Sequence, residues 1–242
     1  MNRTMPKNVL LEICTVSLDC AIAAERAKAG RIELCSDLPC GGVTPPAQLV
    51  AAARTRLRIP VHVLIRPRPG DFVYSADELL IMRKSIQHAR QSGMDGVVFG
   101  LLDEKSQVDV ARTRELVEFA RPLSVTFHRA FDETRSWQDS LEAVIQTGAD
   151  RLLTSGCRPA APQALSTLAQ LVRAAGDRII VMPGSGITPD NVVQVVRATS
   201  AREIHASLLR PALGEAEQRQ ESPAEIYHRR VLSVTSLLQS QA

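Results

Sequence analysis

The sequence is poor in the features that mark several large classes of protein. Only 3% of its 242 residues are aromatic, and no dense block of lysine and arginine is interleaved with aromatic side chains. The net charge of +3 is small, so the composition argues against a nucleic-acid partner. The sequence also lacks a run of 18 apolar residues and the apolar segment of a secretory signal, so we expect neither a membrane partner nor export. A globular cytoplasmic protein is the class that these absences leave.

Cysteine is present, but not in a pattern typical of a disulfide scaffold or a structural zinc site. The five cysteines are an odd number in a long chain, and none of them form a CxxC pair. We therefore expect free thiols, as in the reducing cytoplasm.

Short apolar runs alternate with helical segments along the chain. The runs are nearly continuous in Val, Ile and Leu, as expected of strands that are covered on both faces. A glycine followed by one or two polar residues closes several helices, as at 29–32 and 147–152. The strand candidates are Val9–Cys14, Arg31–Ser36, Val61–Arg66, Gly96–Leu101, Leu123–His128, Arg151–Thr154, Arg178–Met182 and Glu203–Leu208. The intervening helix candidates are Leu18–Lys28, Pro46–Arg56, Ala76–Gln91, Val110–Ala120, Trp137–Gln146, Gln163–Ala174 and Pro189–Arg197.

This alternation predicts an α/β protein of one domain, a (β/α)₈ TIM barrel over about residues 9–209. An open doubly wound sheet is the alternative, but it usually has fewer strands, and no GxGxxG follows the first strand. Residues 210–242 are predicted to form a C-terminal helical extension of the same domain, with a helix at Ala224–Leu238. The polar stretch Gly214–Glu221 is expected to be mobile.

Two predicted strands carry a carboxylate and a thiol where only apolar residues are expected. Glu-x-Cys occurs at Glu12 to Cys14 and again at Glu33 to Cys35. Because side chains i and i+2 of a strand share a face, each Glu and its Cys point the same way. A buried carboxylate is costly unless it is paired, so we expect both glutamates to meet cations. The candidate cations are His62, Arg66 and Arg129.

The ends of the predicted strands collect further polar groups, and functional residues of a barrel lie at those ends. The turn at 184–186 precedes a predicted helix start, where free N–H groups favour an anion, although a tight turn that needs glycine explains it equally well. Asp132 follows His128 closely enough to orient it if the loop folds back. The candidates for binding an anionic substrate are His62, Arg66, Arg129, Ser155, Gly184, Gly186 and His205. The candidates for general acid/base catalysis are Glu12, Glu33, His128 and Asp132.

Cys14 and Cys35 lie on sequential strands, which in a barrel are neighbours about 4.8 Å apart. If the registers align, the two sulfurs could share one soft cation, Cu(I) or Zn(II). The alternative is that both are small core residues. Cys40 and Cys157 fall in rim loops, where they are either extra ligands or simply exposed.

Several long segments resemble the CutC copper-homeostasis family. In chain order from residue 10 to about residue 209 they are LEIC, RIELCSDL followed by GGVTP, VHVLIRPRPGDFVYS, GVVFG, VTFHRAFD and RLLTSG. The resemblance implies a TIM barrel, a cytoplasmic location and a homo-oligomer. It also implies a role in copper tolerance, with Cu(I) on cysteines near the barrel mouth, where Cys14 and Cys35 occupy the matching positions. No organic cofactor is expected.

The sequence departs from the family pattern in two places. Ser185 stands where the family usually has the middle of three glycines, and Cys40 and Cys157 are not part of the pattern. Three functions stay open. The chain handles Cu(I) through Cys14 and Cys35, or it is an enzyme that acts on a small anionic, possibly phosphorylated metabolite, or its charged interior is purely structural. The resemblance favours the first.

Overall fold

A computed structural model describes residue 6, residues 8–209 and residues 222–240 of the chain. Within these residues eight parallel strands alternate with eight helices, which confirms the predicted barrel; the predicted mobile stretch at 214–221 lies outside the described residues. The strands are β1 Leu10–Thr15, β2 Arg31–Leu34, β3 Val61–Leu64, β4 Gly96–Phe99, β5 Ser124–Phe127, β6 Arg151–Thr154, β7 Ile180–Pro183 and β8 Glu203–Ala206. The helices are α1 Leu18–Arg26, α2 Ala47–Arg56, α3 Ala76–Gln91, α4 Val110–Ala120, α5 Trp137–Thr147, α6 Leu165–Ala175, α7 Val192–Thr199 and α8 Pro223–Gln239.

The sheet curls until its two ends meet. Hydrogen-bonded neighbours follow the order β7-β6-β5-β4-β3-β2-β1-β8, and β8 also lies beside β7. The register places Glu12 of β1 opposite Arg31 on one side and His205 on the other. Cys14 lies opposite Glu33. Polar side chains from three sequentially distant segments therefore meet inside the barrel.

Strand alternation separates an apolar outer layer from this polar interior. Ile13, Leu34 and Phe127 point outward into the main hydrophobic core beneath the helices. Their neighbours along the chain point inward, where Cys14 and Cys35 pack with Leu64 and Val98. The near-continuous apolar character of the strands is thus broken at inward positions.

Local sequence signals set the bounds of the helices. Ser75 begins α3 in a capping box, because its hydroxyl accepts the Glu78 N–H while the Glu78 carboxylate accepts the Ser75 N–H. Several predicted strands ran one or two residues past the observed ends, although Cys35 N–H still donates to Thr15 O at 3.0 Å. In the described part of the chain, no helix combines the length and apolarity that crossing a bilayer requires.

The C-terminal helix α8 packs beside α1 and makes a side-chain hydrogen bond to the backbone of the first strand. Its Tyr227 is buried, and the phenol donates to the backbone carbonyl of Cys14 at 2.7 Å. Thr235 donates in the same way to Ala27 O at 2.9 Å. The helix predicted after residue 210 is therefore part of the barrel wall, and it fixes the end of β1.

Candidate functional site

A network of buried ion pairs lies inside the barrel, near the starts of β1, β2 and β8. The Arg31 guanidinium donates to Glu12 Oε2 and to Glu203 Oε2, both at 2.5 Å. Arg151 reaches the same Glu203 oxygen at 2.9 Å. Although burial alone would raise the pKa of Glu12, Arg31 and His205 hold it far below its usual value. Glu12 is therefore ionised.

The prediction that Glu12 meets a cation is correct, but Arg66 and Arg129 as its partners were wrong. The guanidinium that pairs with it belongs to Arg31, and His62 approaches only to 3.9 Å. Arg31, Arg151 and Glu203 are the first residues of their strands, as predicted, but they were not among the residues expected to join the interior network. The sequence does contain a signal for these residues. Each is a charged residue at the start of a strand, two positions before a residue that is polar or points inward.

His205 joins this network to the mouth of the barrel. Its Nδ1 lies 2.7 Å from Glu12 Oε1, and its Nε2 lies 3.8 Å from Glu33 Oε2. Burial opposes a charge on the imidazole, but the carboxylates of Glu33 and Glu12 raise the pKa of His205. Burial raises the pKa of Glu33, and the charge of Glu12 adds to that shift. The imidazole, which holds its own proton more tightly than a free histidine does, thus stands between one ionised carboxylate and one whose pKa is raised.

The two predicted metal ligands, Cys14 and Cys35, are brought together at the end of β1 and β2. Their sulfurs are 3.1 Å apart, and both side chains are almost fully buried. The contact with Cys35, burial and the nearby Glu33 raise the pKa of Cys14 well above its usual value. Among the described residues, Cys14, Glu33 and His205 offer ligand atoms that all lie within 4.8 Å of one another.

The donor set at this point suits a soft monovalent cation. Thiolates select Cu(I), and an imidazole is a compatible neighbour. A metal would replace the proton that the buried Cys14 thiol holds more firmly than a free cysteine does. Cys40 and Cys157 lie elsewhere: the Cys40 thiol donates to Asp37 O at 2.9 Å, and burial raises the pKa of Cys157 to about 11. Neither belongs to the three-ligand cluster.

Arg66 holds the loops of the mouth in place. Its Nη1 donates to Cys40 O at 3.0 Å and to Gly42 O at 2.9 Å, and its Nη2 donates to Gly70 O at 2.7 Å. A side chain at Gly42 would touch Cys35, since its Cβ would lie 3.7 Å from the sulfur. The guanidinium therefore clamps a loop that covers the thiol pair, and its terminal nitrogens are engaged by protein carbonyls.

The predicted contact between Asp132 and His128 was wrong. Asp132 instead accepts from Thr154 Oγ1 at 2.5 Å, from Ser155 N–H and Oγ at 2.9 Å, and from Arg129 at 2.9 Å. Arg129 is exposed at the rim, and its carboxylate partner fixes the loop after β6. Ser155 and Arg129, both predicted to bind an anion, thus serve a local network around Asp132.

The turn after β7 has a packing reason for its glycines. A Cβ on Gly184 would lie 2.5 Å from Leu153, and one on Gly186 would lie 2.7 Å from the Ala160 Cβ. Asn191 accepts the Thr188 N–H at 2.9 Å, which occupies one N–H group ahead of α7. Of the two explanations given for the turn at 184–186, an anion site and a tight turn that needs glycine, the tight turn accounts for these contacts.

Three inward glycines make room for the interior imidazoles. Of these, only Gly184 was predicted as a site residue. A Cβ would lie 2.5 Å from the His62 ring at Gly96 and 2.7 Å from His128 Nδ1 at Gly100. Gly184 leaves room for His205 in the same way, because a Cβ on Gly184 would lie 3.1 Å from the Cβ of His205. The signal was a glycine at an inward strand position beside a strand that carries histidine. Burial lowers the pKa of His62 to about 4, so this ring is neutral at physiological pH.

Comparisons with known proteins agree with this architecture. The profile of the CutC family matches residues 9–209. A "family protein CutC" of Chromobacterium violaceum is 48% identical over 198 residues, which cover 82% of this chain and 80% of that protein. The human "copper homeostasis protein cutC homolog" is 43% identical, over 82% of this chain and 72% of its own.

Solved structures give the same result. CutC from Streptococcus agalactiae matches with a TM-score of 0.78 at 30% identity, over 82% of this chain and 98% of the other. Thiamine phosphate pyrophosphorylase from Pyrococcus furiosus matches with a TM-score of 0.63, over 97% of each chain, but at 18% identity this likeness shows the fold alone.

Proposed function

We propose, from the premise that this chain belongs to the CutC family, that it is a cytoplasmic copper-homeostasis protein that binds Cu(I) through Cys14 and Cys35. The observation that carries the proposal is the 3.1 Å approach of the two buried sulfurs at the barrel mouth. Relatives from mouse and human bear the name copper homeostasis protein cutC homolog. The thiol pair is the part of the molecule whose chemistry suits that role.

The charges around the thiols support a bound monovalent cation. Two thiolates and one Cu(I) carry a net charge of −1, and His205, whose pKa is raised, lies within reach and balances that charge when it is protonated. Burial raises the pKa of Glu33, which disfavours a further negative charge beside the two thiolates. Binding releases the thiol protons, so affinity should rise with pH.

A Cu(I) titration against a competing colorimetric chelator tests the proposal. We expect one Cu(I) per reduced chain, with affinity reduced by at least about 100-fold, roughly 2.7 kcal/mol, in the Cys14→Ser/Cys35→Ser variant. Cys40→Ser and Cys157→Ser are matched controls that should bind like the wild type. Unchanged affinity in the double variant would contradict the proposal.

A second candidate function is an enzyme that acts on a small anionic metabolite. The specific observation is the pairing of Glu33 with His205 at the mouth, because a carboxyl of raised pKa beside an imidazole of raised pKa can exchange protons with a ligand. Incubating the protein with a pool of small metabolites and following their turnover by mass spectrometry tests it. Turnover that Glu33→Gln abolishes would support it, and a pool left unchanged would count against it.

The family also carries the expectation of a homo-oligomer. Leu80 and Ile81, adjacent on α3, are 57% and 50% exposed, which supports an apolar contact with a second copy. Light scattering should therefore give a mass above that of one chain, and Leu80→Glu/Ile81→Glu should lower it. A monomeric wild type would contradict this inference.

A further inference from the structure

His128 is a neutral hydrogen-bond donor that lacks an acceptor among the described residues. Its Nδ1 accepts the N–H of Ala130 at 3.2 Å, so the proton of the neutral ring resides on Nε2. Burial, reinforced by the charge of Arg66, lowers the pKa of His128 to about 3, far from the range suited to acid/base catalysis. The Nε2–H group is buried and unpartnered.

Arg66 presents a second donor of the same kind. Its terminal nitrogens are engaged by loop carbonyls, but Nε is buried and makes no hydrogen bond in the described part of the chain, where the nearby Tyr74 phenol also has no partner. The residue as a whole is only 5% exposed. Leaving a buried N–H of a charged group unsatisfied is costly, which points to an acceptor supplied from outside the protein.

The two donors flank one aromatic ring. The Phe72 ring centroid lies 4.9 Å from the Arg66 guanidinium carbon and 4.8 Å from the His128 ring centroid. The ring packs against both groups but can accept a conventional hydrogen bond from neither. Thr126 of β5, two residues before His128 and on the same side of the chain, also has a buried hydroxyl that finds no partner in the part of the chain that the structure describes. Unsatisfied polar atoms thus gather on the β3 to β5 side of the interior.

We propose that Arg66 Nε–H and His128 Nε2–H donate to the oxygen atoms of a small anion, a phosphate or a carboxylate. Both groups donate and one is cationic, so the site rejects cations and selects an acceptor with negative charge. The nearby carboxylates are Asp71, which is paired with Arg68 at 2.9 Å, and Glu133. The site deepens the second candidate function, and it is independent of copper binding.

Nuclear magnetic resonance of protein labelled with ¹⁵N-histidine reads the donor directly. The chain has five histidines, and we expect the His128 Nε2–H signal to move and saturate when inorganic phosphate or acetate is added at constant ionic strength and pH 7. A response to phosphate alone identifies a phosphate site, and a response to acetate alone identifies a carboxylate site. Absence of a saturable response to either anion overturns the proposal.

Variants separate this site from general charge effects. His128→Phe keeps a ring against Phe72 but removes the donor, so calorimetric affinity for the responding anion should fall at least about tenfold. His88→Phe, on the outer helix α3, should bind like the wild type, and equal affinity in the two variants would overturn the proposal. Cys14→Ser/Cys35→Ser should retain anion binding, so failure of the copper proposal leaves this result unaffected.

If His128→Phe does not fold, Arg66→Lys provides the second test. Lysine keeps the positive charge but lacks an Nε–H in this position. Circular dichroism first establishes that the variant is folded. A folded Arg66→Lys protein with unchanged anion affinity would overturn the assignment of Nε–H as a donor, and a loss of about tenfold would support it.

Discussion

The two sides of the barrel interior differ in how their buried polar atoms are satisfied. Around β1, β2 and β8, the side chains of Glu12, Arg31 and His205 meet at 2.5–2.7 Å. Around β3 to β5, Thr126 and His128 each keep a buried polar atom that has no partner among the described residues. The first side is completed by the protein itself. The second needs water or a ligand, so the contrast separates groups that hold the barrel together from groups that are available for binding.

The largest effect is expected from breaking the satisfied side. Arg31→Met leaves Glu12 and Glu203 buried without the guanidinium that both contact, so the free energy of unfolding should fall by about 3–5 kcal/mol. Urea denaturation measures it. The matched control is Arg178→Met at an exposed ion pair with Glu142, which should leave stability close to that of the wild type. Similar losses in the two variants would remove the distinction between the interior network and the surface.

A smaller effect is expected from crowding the other side. The Cβ of Gly100→Ala would lie 2.7 Å from His128 Nδ1 and 3.0 Å from the Phe127 ring, so His128 must move and its bond from Ala130 must weaken. Overpacking of this kind costs about 1–3 kcal/mol. Gly100 is not among the glycines with positive φ, so alanine there adds the contact with His128 without left-handed backbone strain. If Gly100→Ala unfolds at the same temperature as the wild type, His128 is not held as tightly as this contact requires.

The pH dependence of stability should distinguish His128 from His205, because their pKa values are shifted in opposite directions. The pKa of His128 is about 3 in the folded protein and near 6.5 when unfolded, so the unfolded chain takes up its proton first as the pH falls. Stability from this residue is therefore present above pH 6.5 and lost as the pH falls toward 3. Between pH 7 and pH 5, His128→Phe should lose about 2 kcal/mol less than the wild type.

Comparing the two proteins in urea at each pH makes that measurement. His205 has a raised pKa, so its contribution is lost as the pH rises rather than falls, and it is present in both proteins and cancels in the difference. Parallel pH profiles would show that His128 is not buried as a neutral ring.

Periodicity and glycine-ended helices were enough to predict the barrel, because each βα unit repeats the same local pattern. The closeness of Cys14 and Cys35 could also be predicted, since it needs only sequential strands and side-chain alternation. What could not be predicted was which cation meets which carboxylate. Arg31 pairs with Glu12 because the β1–β2 register sets them opposite each other, and register is a tertiary property.

The residues at the mouth were predicted less well for a related reason. Position at a strand end indicates access to the site but not which atoms remain free. Arg66 lies at such an end, yet its terminal nitrogens bind carbonyls of two loops, and Asp132 binds backbone N–H groups instead of His128. The sequence therefore predicted which polar groups lie near the strand ends, and only the hydrogen-bond partners divide those groups into clamps and available donors.

The smallest expected effect tests that division with two isosteric changes of opposite outcome. Thr154→Val removes a hydroxyl that donates to Asp132 at 2.5 Å and accepts the Gly156 N–H at 2.9 Å, so it should cost about 1–3 kcal/mol. Thr126→Val, on the neighbouring strand, removes a buried hydroxyl without a partner among the described residues, so it should leave stability unchanged or raise it by up to about 1 kcal/mol. Urea denaturation of both variants decides. Equal losses would mean that the Thr126 hydroxyl is already satisfied, by water, and the contrast between the two sides of the interior would then rest on His128 and Arg66 alone.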